Sequence, residues 1–571
     1  MKADILIKNA VVYNSFAKKF INNNVVIKGD KFLYIGQSIA GFECTQVVDA
    51  QGKYLIPGLI DIHMHIESTM ATPRAFAHEL AKHGVTTIIS EPHEIANTFG
   101  LRGVQAMLDA SEGALIDVFL GVPSSVPSTS SELETTGGEI NLVDLQELLA
   151  HPKVVCLGEV MNYVDVIYKE QSKTLDFINY TKTNYPFLAI EGHCPRIVDQ
   201  ELARMLYAGV ESDHTQQSEA GLLDRFLQGM FVEIQSKSLK SEIIKLVQEH
   251  SMYERVALVT DDIMADELVE KGQLDKNLRK LIQLGMSPEM AIYIATYTPA
   301  KHIGWRDRGC IAAGKLADFF ITDNLQTLPI LSTYKNGCCI YDKETAHEFV
   351  REENIFPRDF LTSIKCQEIS AQVLTIQAPL ANGTVLCNAF SLVDDATFTN
   401  AEIAELGVQD GVLNWQDSDY ALVVCLERYG KTDNIAFGLA RGACLQSGAM
   451  ATSYAHDHHN ILAIGRNIDD LVLAINHVIR SQGAYTAFLN GEMLACVELP
   501  IAGILSPLTM PELAGKVEEL KAAFRVLGYN HKNPIMSLST LSLPVSPELK
   551  ITDKGLVKVA EQRLVPLFIE Q

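Results

Sequence analysis

The chain opens with a regular alternation of apolar and polar residues. Stretches such as "ILIKNAVVYNS" and "NNVVIKGDKFLYIGQS" place an apolar residue at nearly every second position and end in small polar residues. A period of two matches one face of a β-strand, and Gly, Asn and Ser are typical of turns. Residues 1–56 are therefore predicted to form short antiparallel strands, the first part of a small β-sandwich domain.

The pattern changes near residue 54, where short apolar runs begin to alternate with amphipathic helical stretches. Eight apolar runs can be counted: "LIPGLIDIHMH", "GVTTIISEPHE", "ALIDVFLGVPS", "KVVCLGEVMN", "PFLAIEGHCP", "GVESDHT", "MFVEIQ" and "RVALVTDD". Strands that follow one another through helices form a parallel sheet, and eight of them close into a barrel. Residues 57–305 are predicted to form a (β/α)8 TIM-like barrel.

Two further regions follow the predicted barrel. Residues 306–360, which begin near "DRGCIAAGKLADFFITDN", return to Gly-punctuated strands and are predicted to complete the β-sandwich. Residues 365–571 mix strands and helices, as in "NILAIGRNIDDLVLAINHVIRSQG", and are long enough for a separate domain. The predicted fold class is α/β: a (β/α)8 TIM-like barrel with a flanking small β-sandwich domain and a C-terminal α/β domain.

Charge and composition narrow the possible partners. The 571 residues include 47 Lys and Arg against 70 Asp and Glu, a formal net charge of -23, and no basic patch interrupts it. Such a chain repels phosphate backbones and anionic lipids, so neither nucleic acid nor membrane is expected as a partner. The amino terminus lacks the features of a signal peptide, which predicts a cytoplasmic protein. The 11 cysteines contain no CxxC pair, which argues against a thiolate zinc cluster.

Polar side chains stand at the carboxyl ends of the predicted barrel strands, where barrel enzymes build their active sites. His63 and His65 are two residues apart in a strand and so share a face. Imidazole and carboxylate groups from other strand ends join them: Glu91, His93, Glu94, Glu159, His193, Asp213, His214, Asp261 and Asp262. Two pairs of imidazoles with a carboxylate between them could hold two ions, and this donor set suits zinc, iron or manganese.

Six motifs carry a resemblance to a known family. The strings "PGLIDIHMH", "GEVMN", "EGHCP", "SDHT", "VTDD" and "GCIAAGKLADF" resemble the amidohydrolase superfamily of metal-dependent barrel hydrolases. Three more, "HIESTMATP", "GVTTIISEPHEIANTFG" and "SYAHDHHNI", are similar to the bacterial binuclear-metal adenine deaminases, and the resemblance covers nearly the whole chain. A Glu rather than a Lys at strand four distinguishes the chain from dihydroorotases and hydantoinases, which use a carboxylated lysine.

The resemblance implies a ligand set. One metal ion would be held by the strand-one histidines and the strand-eight aspartate, and the other by the histidines of strands five and six, with a bridging carboxylate from strand four. Carried over to this sequence, these residues are His63, His65, Asp261, His193, His214 and Glu159. The resemblance also implies manganese or iron rather than zinc. A closed homo-oligomer is expected as the usual form of soluble enzymes of this kind.

The implied reaction is the hydrolytic deamination of adenine, a small-molecule substrate, to hypoxanthine and ammonia. Asp261 is expected to carry the proton of the attacking water to the leaving group. Glu94, or alternatively Glu91, is expected to donate a proton to the purine ring if burial or a like-charged neighbour raises its pKa. The alternatives are another amidohydrolase, such as an N-acetyl-sugar deacetylase, and a non-catalytic scaffold on the same barrel.

One histidine-rich segment is compatible with three interpretations. "YAHDHHN", Tyr454 to Asn460, contains three histidines and an aspartate within five residues. It could form a second metal site, a lid over the barrel mouth or a solvated polar turn before a strand.

Overall fold

A computed structural model describes residues 1–345, 349 and 355–570. The amino-terminal strands pair with strands that follow the barrel. They are β1 (Lys2–Asn14), β2 (Lys19–Lys28), β3 (Lys31–Gly36), β4 (Glu43–Asp49) and β5 (Tyr54–Pro57) before the barrel, and β14 (Phe319–Thr322), β15 (Ser332–Lys335) and β16 (Cys338–Asp342) after it. Together they form one eight-stranded sheet in which β14 pairs with β5.

This sheet differs in one respect from the expectation of antiparallel strands. β2 pairs with β1 in the antiparallel direction, but β4 and β5 both pair with β1 in parallel. Alternation along a strand determines which face is buried and carries no information about the direction of its neighbour. The antiparallel assignment was therefore wrong for these two strands.

Eight parallel strands form the central α/β unit. They are β6 (Leu59–Met64), β7 (Val85–Ser90), β8 (Asp117–Val122), β9 (Val154–Val160), β10 (Ala189–Gly192), β11 (Ser212–Asp213), β12 (Phe231–Ile234) and β13 (Val256–Leu258). β6 to β10 pair in chain order, as do β11 to β13. Two backbone hydrogen bonds connect these sheets at their edges: the Glu211 N–H donates to the Ile190 carbonyl (2.8 Å) and the Asp261 N–H to the His63 carbonyl (3.1 Å). The predicted TIM-like α/β unit is confirmed.

Helices separate most of the successive barrel strands. They are α1 (Pro73–Ala81), α2 (His93–Phe99), α3 (Leu101–Ala110), α4 (Leu142–Leu149), α5 (Tyr163–Ile167), α6 (Lys173–Asn184), α7 (Asp199–Ala208), α8 (Glu219–Gln228), α9 (Ser241–Glu249), α10 (Ala265–Lys271), α11 (Leu274–Gln283) and α12 (Pro288–His302). Strands β6 and β7 are buried along their whole length, as expected where helices cover a parallel sheet. Among the described residues, no helix combines the length and apolar character needed to cross a bilayer.

The carboxyl-terminal region contains a nine-stranded sheet, flanking helices and a small three-stranded sheet. Its strands are β17 (Gly383–Leu392), β18 (Thr399–Gln409), β19 (Val412–Leu413), β20 (Ala421–Leu426), β21 (Ile435–Gly442), β22 (Ala449–Thr452), β23 (Ile461–Gly465), β24 (Ala484–Leu489), β25 (Glu492–Glu498), β26 (Leu549–Thr552), β27 (Gly555–Lys558) and β28 (Arg563–Val565). Its helices are α13 (Ile468–Arg480), α14 (Met510–Val526) and α15 (Pro534–Ser539). We call residues 365–570 the C-terminal unit; the exact domain boundaries stay predictions.

Candidate metal centre and active site

The six residues expected to bind metal come together at the carboxyl ends of the barrel strands. His63 lies in β6 with His65 just after it, Glu159 is in β9, His193 and His214 directly follow β10 and β11, and Asp261 follows β13. Parallel strands share one carboxyl edge, so residues distant in the sequence meet there. All six residues have at least one side-chain contact with another member of the set, described below.

His65 connects two of the carboxylates. Its Nε2 lies 3.6 Å from Oε1 of Glu159 and 3.7 Å from Oδ1 of Asp261. Its Nδ1 lies 2.8 Å from the backbone carbonyl oxygen of Glu91, an acceptor that requires a proton on Nδ1. In a neutral ring with this proton, the Nε2 lone pair would be available to a metal ion between the two carboxylates, with the Glu91 carbonyl as the orienting second partner.

Glu159 faces imidazoles from both sides. Its Oε2 lies 2.9 Å from Nδ1 of His193 and 3.2 Å from Nε2 of His214, while its Oε1 faces His65. The His214 ring also stacks on the His63 ring with centroids 3.7 Å apart. A carboxylate whose two oxygens face separate groups of imidazoles has the arrangement required to bridge two cations.

One buried imidazole nitrogen in this cluster fits a metal ion. Nε2 of His63 is buried and has no hydrogen-bond partner among the described residues, and burial and the charge of His214 hold the pKa of His63 well below its usual value. Because buried polar atoms are rarely left unsatisfied, the nitrogen of this neutral ring indicates a missing electron-pair acceptor. Among the groups of side chains that bring their ligand atoms within 4.8 Å of one another, three include the predicted ligands: His63, His65 and Asp261; His63, Glu159 and His214; and His65, Glu91, His93 and Glu159.

The pKa directions show how charge is balanced in this cluster. Burial raises the pKa of Glu159, but the hydrogen bonds and charges of His193 and His214 outweigh it and hold the carboxyl well below its usual pKa. Burial lowers the pKa of His214, but Glu159 and Asp261 raise it to about 9. Protons would therefore balance the carboxylates whenever no metal is bound, and metal binding would displace them.

Asp261 is positioned by its backbone and by a glutamine. Its φ of +61° lies in the left-handed region, which Asp tolerates better than most residues. Its Oδ2 accepts a hydrogen bond of 2.7 Å from Nε2 of Gln235, which also donates to the His214 carbonyl. Gln235 was not among the predicted site residues, although its position at the end of the seventh apolar run, "MFVEIQ", indicated a place at the barrel mouth.

Glu94 does not have the environment expected of a proton donor. Its side chain is buried in the first turn of α2, where Oε1 lies 3.1 Å from Nε2 of His456 and Oε2 contacts His459. Burial raises its pKa, but the charges of His456, His459 and His93 hold it well below the usual value. Glu94 is therefore held as a carboxylate, opposite to the expected protonated acid. The cause is the pair of imidazoles from the C-terminal unit, which no local sequence pattern connects to Glu94.

The segment Tyr454–Asn460 lies against the barrel mouth. All seven of its residues are buried, which excludes the solvated polar turn. Besides the two histidines at Glu94, it brings Oδ1 of Asp457 to 3.9 Å from Nε2 of His93. The high density of histidine in this segment was the available signal, but its location next to strand two of the barrel required the structure.

Comparisons with known proteins agree with this architecture. Residues 54–343 match the amidohydrolase family, and residues 396–563 match the adenine deaminase C-terminal domain. An adenine deaminase from Clostridium perfringens is 46% identical, and adenine deaminase 2 from Shouchella clausii is 44% identical, each over all of both chains. A crystal structure of β-aspartyl dipeptidase from Fervidobacterium islandicum aligns with 61% of this chain and 99% of its own, with a TM-score of 0.47 and 17% identity.

These matches confirm the resemblance read from the sequence motifs. The amidohydrolase match covers the barrel that carries the imidazole and carboxylate cluster, and the second match covers the segment that contacts Glu94. Two relatives more than 40% identical extend along the entire chain. The protein belongs to the adenine deaminase family within the amidohydrolases.

Proposed function

We propose that this protein hydrolyses adenine to hypoxanthine and ammonia. The observation that carries the proposal is the 46% identity, over the full length of both chains, to an adenine deaminase. The imidazole and carboxylate cluster at the barrel mouth supports it, because deamination by water requires an activated nucleophile at neutral pH. This reaction belongs to purine salvage.

The proposed cofactor is a pair of divalent metal ions. His63, His65 and Asp261 would hold one, His193 and His214 the other, and Glu159 would bridge them; their contacts within the cluster support this assignment. When bound, the ions would lower the pKa of water and so supply a hydroxide nucleophile near neutral pH. We propose manganese or iron rather than zinc, on the strength of the family resemblance, since the N/O donor set accepts all three.

Residues of the chain itself would transfer the proton and form hydrogen bonds with the substrate. Asp261 would accept the proton of the attacking water and deliver it to the departing amino group, and Gln235 would hold its carboxylate in position for both steps. Glu94, kept as a carboxylate by His456 and His459, would accept hydrogen bonds from substrate rather than donate a proton to it.

The remaining proposals concern organisation and partners. We propose a cytoplasmic homo-oligomer with a small-molecule substrate and with neither nucleic acid nor membrane as a partner, which the net charge of -23 supports. We also propose that the sheet built from β1–β5 and β14–β16 acts as the flanking sandwich-type domain, and that the C-terminal unit is a separate α/β domain. The continuous pairing of β5 with β14 supports the first of these.

The test is an adenine deamination assay on apoprotein reconstituted separately with Mn²⁺, Fe²⁺ and Zn²⁺. We expect ammonia release that saturates at two metal equivalents per chain, with Mn²⁺ or Fe²⁺ giving the higher rate. Acetate release from N-acetylated sugars, measured in parallel, tests the deacetylase alternative. Acetate without ammonia would overturn the proposed reaction.

A further inference from the structure

The carboxyl group of Asp457 is buried at the barrel mouth, and one of its oxygens lacks a donor within the described part of the chain. The residue is 2% exposed, and its Oδ2 has no hydrogen-bond partner among the described residues. Its Oδ1 lies 3.9 Å from Nε2 of His93, beyond hydrogen-bond distance. A buried carboxyl group without a donor is costly, so its presence calls for a partner that the protein itself does not supply.

The surroundings of Asp457 favour a donor over an acceptor as that partner. The carboxylate of Glu94 faces the same imidazole nitrogen, with Oε1 3.6 Å from Nε2 of His93, and the three side chains bring their ligand atoms within 4.8 Å of one another. The charge of His93 favours the ionised form of Asp457, and the charges of Glu94, Glu134 and Glu159 oppose it. In a corner lined by carboxyl oxygens, a ligand that brings an N–H group is stabilised, and one that brings only acceptors is repelled.

The His93 side chain connects Asp457 to the proposed metal ligands. Its Nε2 faces Asp457 and its Nδ1 lies 3.7 Å from Oε1 of Glu159. Asp457 therefore lies no further from the bridging carboxylate than one imidazole ring and a contact at each side. A purine whose six-membered ring reacts at the ions extends its five-membered ring away from them, toward a position at this separation.

We propose that Asp457 contacts the substrate and accepts a hydrogen bond from the N–H of the five-membered ring of a free 6-aminopurine base. The C-terminal unit would then distinguish a free base from one that is alkylated or glycosylated at N9, because the substituted base lacks this N–H. A carboxyl group in either protonation state keeps an acceptor oxygen for it. The inference rests on the proposed function and deepens it by naming a residue that determines specificity.

The test compares adenine with 9-methyladenine in three proteins: wild type, Asp457→Leu and Asp457→Asn. Leu is similar in size and removes the acceptor, whereas Asn retains one. We expect Asp457→Leu to lower kcat/KM for adenine about 5- to 100-fold, the range for leaving a buried N–H donor without its acceptor, mainly through KM. The preference for adenine over 9-methyladenine should shrink by a similar factor, and Asp457→Asn should recover part of both.

Matched controls separate binding from folding. Asp470→Asn replaces another buried aspartate of the C-terminal unit, whose carboxylate accepts hydrogen bonds from the Gly491 and Asn490 N–H groups away from the barrel mouth. It should lower the unfolding temperature without changing the preference between the two bases. All variants should bind two metal equivalents by elemental analysis.

Three outcomes would overturn the proposal. An unchanged preference in Asp457→Leu would show that the carboxyl group does not contact the ring N–H. A third metal equivalent in wild type that is lost in Asp457→Leu would make the residue a cation ligand instead. If wild type turned over adenine and 9-methyladenine equally, the ring N–H would not be read at all. Failure of wild type to release ammonia from adenine would instead refute the proposed function.

Discussion

At the residue scale, the site depends on how a few buried carboxyl groups are surrounded. Glu159 and Glu94 are both buried and both held as carboxylates, because each faces two imidazoles at close range. Asp457 lacks such partners, and burial raises its pKa well above the usual value. Burial is therefore common to all three, and the neighbours decide which group carries a charge.

Replacing Asp261 tests its role as proton carrier. Asp261→Asn keeps an oxygen that can bind metal but cannot accept the proton of the attacking water. We expect metal content to remain near two equivalents by elemental analysis while kcat for adenine falls about 10²- to 10⁴-fold, the range for general acid–base catalysis. Asp262→Asn, next in the chain and hydrogen-bonded to Ser68, is the matched control and should retain most of the activity. Near-normal turnover in Asp261→Asn would exclude the role.

Replacing Glu94 tests the ion pairs with the C-terminal unit. A carboxyl group with a lowered pKa in the folded state stabilises the fold above its unfolded pKa of about 4.3, and this stabilisation is lost as pH falls below it. The unfolding temperature of the wild-type apoprotein should therefore fall as the pH is lowered below about 5. The unfolding temperature of Glu94→Gln should fall less over the same range. Calorimetry in the presence of a chelator measures this without a contribution from metal release. The exposed Glu518→Gln should follow wild type; a Glu94→Gln slope equal to wild type would contradict the prediction.

At the element scale, the helices around the barrel are joined by charged contacts at their ends. His83, just after α1, reaches α11 with its Nδ1 3.3 Å from Oδ2 of Asp275 and lies 3.8 Å from Glu79. Asp275 also accepts a hydrogen bond of 2.8 Å from the Gln273 N–H and forms an ion pair with Arg279. These contacts connect two helices that are distant in the sequence.

His83 should give the fold a pH dependence on the alkaline side. Burial lowers its pKa, but Asp275 and Glu79 raise it to about 9. A raised pKa contributes stability that is fully present below the unfolded value of about 6.5 and is lost as pH rises through about 9. Apoprotein unfolding temperatures should therefore fall between about pH 7 and 9.5 in wild type and change less in His83→Gln. His250→Gln, at the exposed end of α9, serves as control and should keep the wild-type slope.

Elements with a strong periodic signal were the ones that sequence reasoning predicted. The fully apolar β6 and β7, and the helix patterns between barrel strands, were sufficient for the TIM-like unit. The parallel pairing of β4 with β1 was not predicted, because the alternation of apolar and polar residues along a strand is the same whether its neighbour is parallel or antiparallel. Strand-end placement likewise predicted that His63, His65 and Glu159 would meet, whereas the charge state of Glu94 depended on residues more than 350 positions away.

At the scale of the whole molecule, the C-terminal unit is attached to the barrel through buried polar contacts. The carboxylate of Asp553 accepts a hydrogen bond of 2.9 Å from the Thr135 N–H in a barrel loop and another of 3.0 Å from Asn434. Lys521 of α14 forms a 2.6 Å ion pair with Asp266 of α10. The active-site contacts of His456 and His459 therefore rest on a larger interface.

Removing the Asp553 carboxylate should loosen this interface. Asp553→Ala leaves the buried Thr135 N–H without its acceptor, which costs about 1–3 kcal/mol of unfolding free energy. We expect a lower denaturation midpoint together with weaker adenine turnover, because His456 and His459 would be held less firmly against Glu94. Chemical denaturation and kinetics on the same samples measure both effects. Asp433→Ala, an exposed aspartate of the same unit, should change neither.

Two strands of the flanking sheet that pair with each other are separated in the chain by the whole barrel, and this order has a consequence during synthesis. β5 ends at Pro57, but its partner β14 begins at Phe319, after the whole barrel. Because the ribosome adds about 5–20 residues per second, the edge of β5 stays unpaired for on the order of tens of seconds before β14 has been synthesised. Nascent protein thus carries an open strand edge while the barrel emerges, and this interval is when a chaperone would have most to protect.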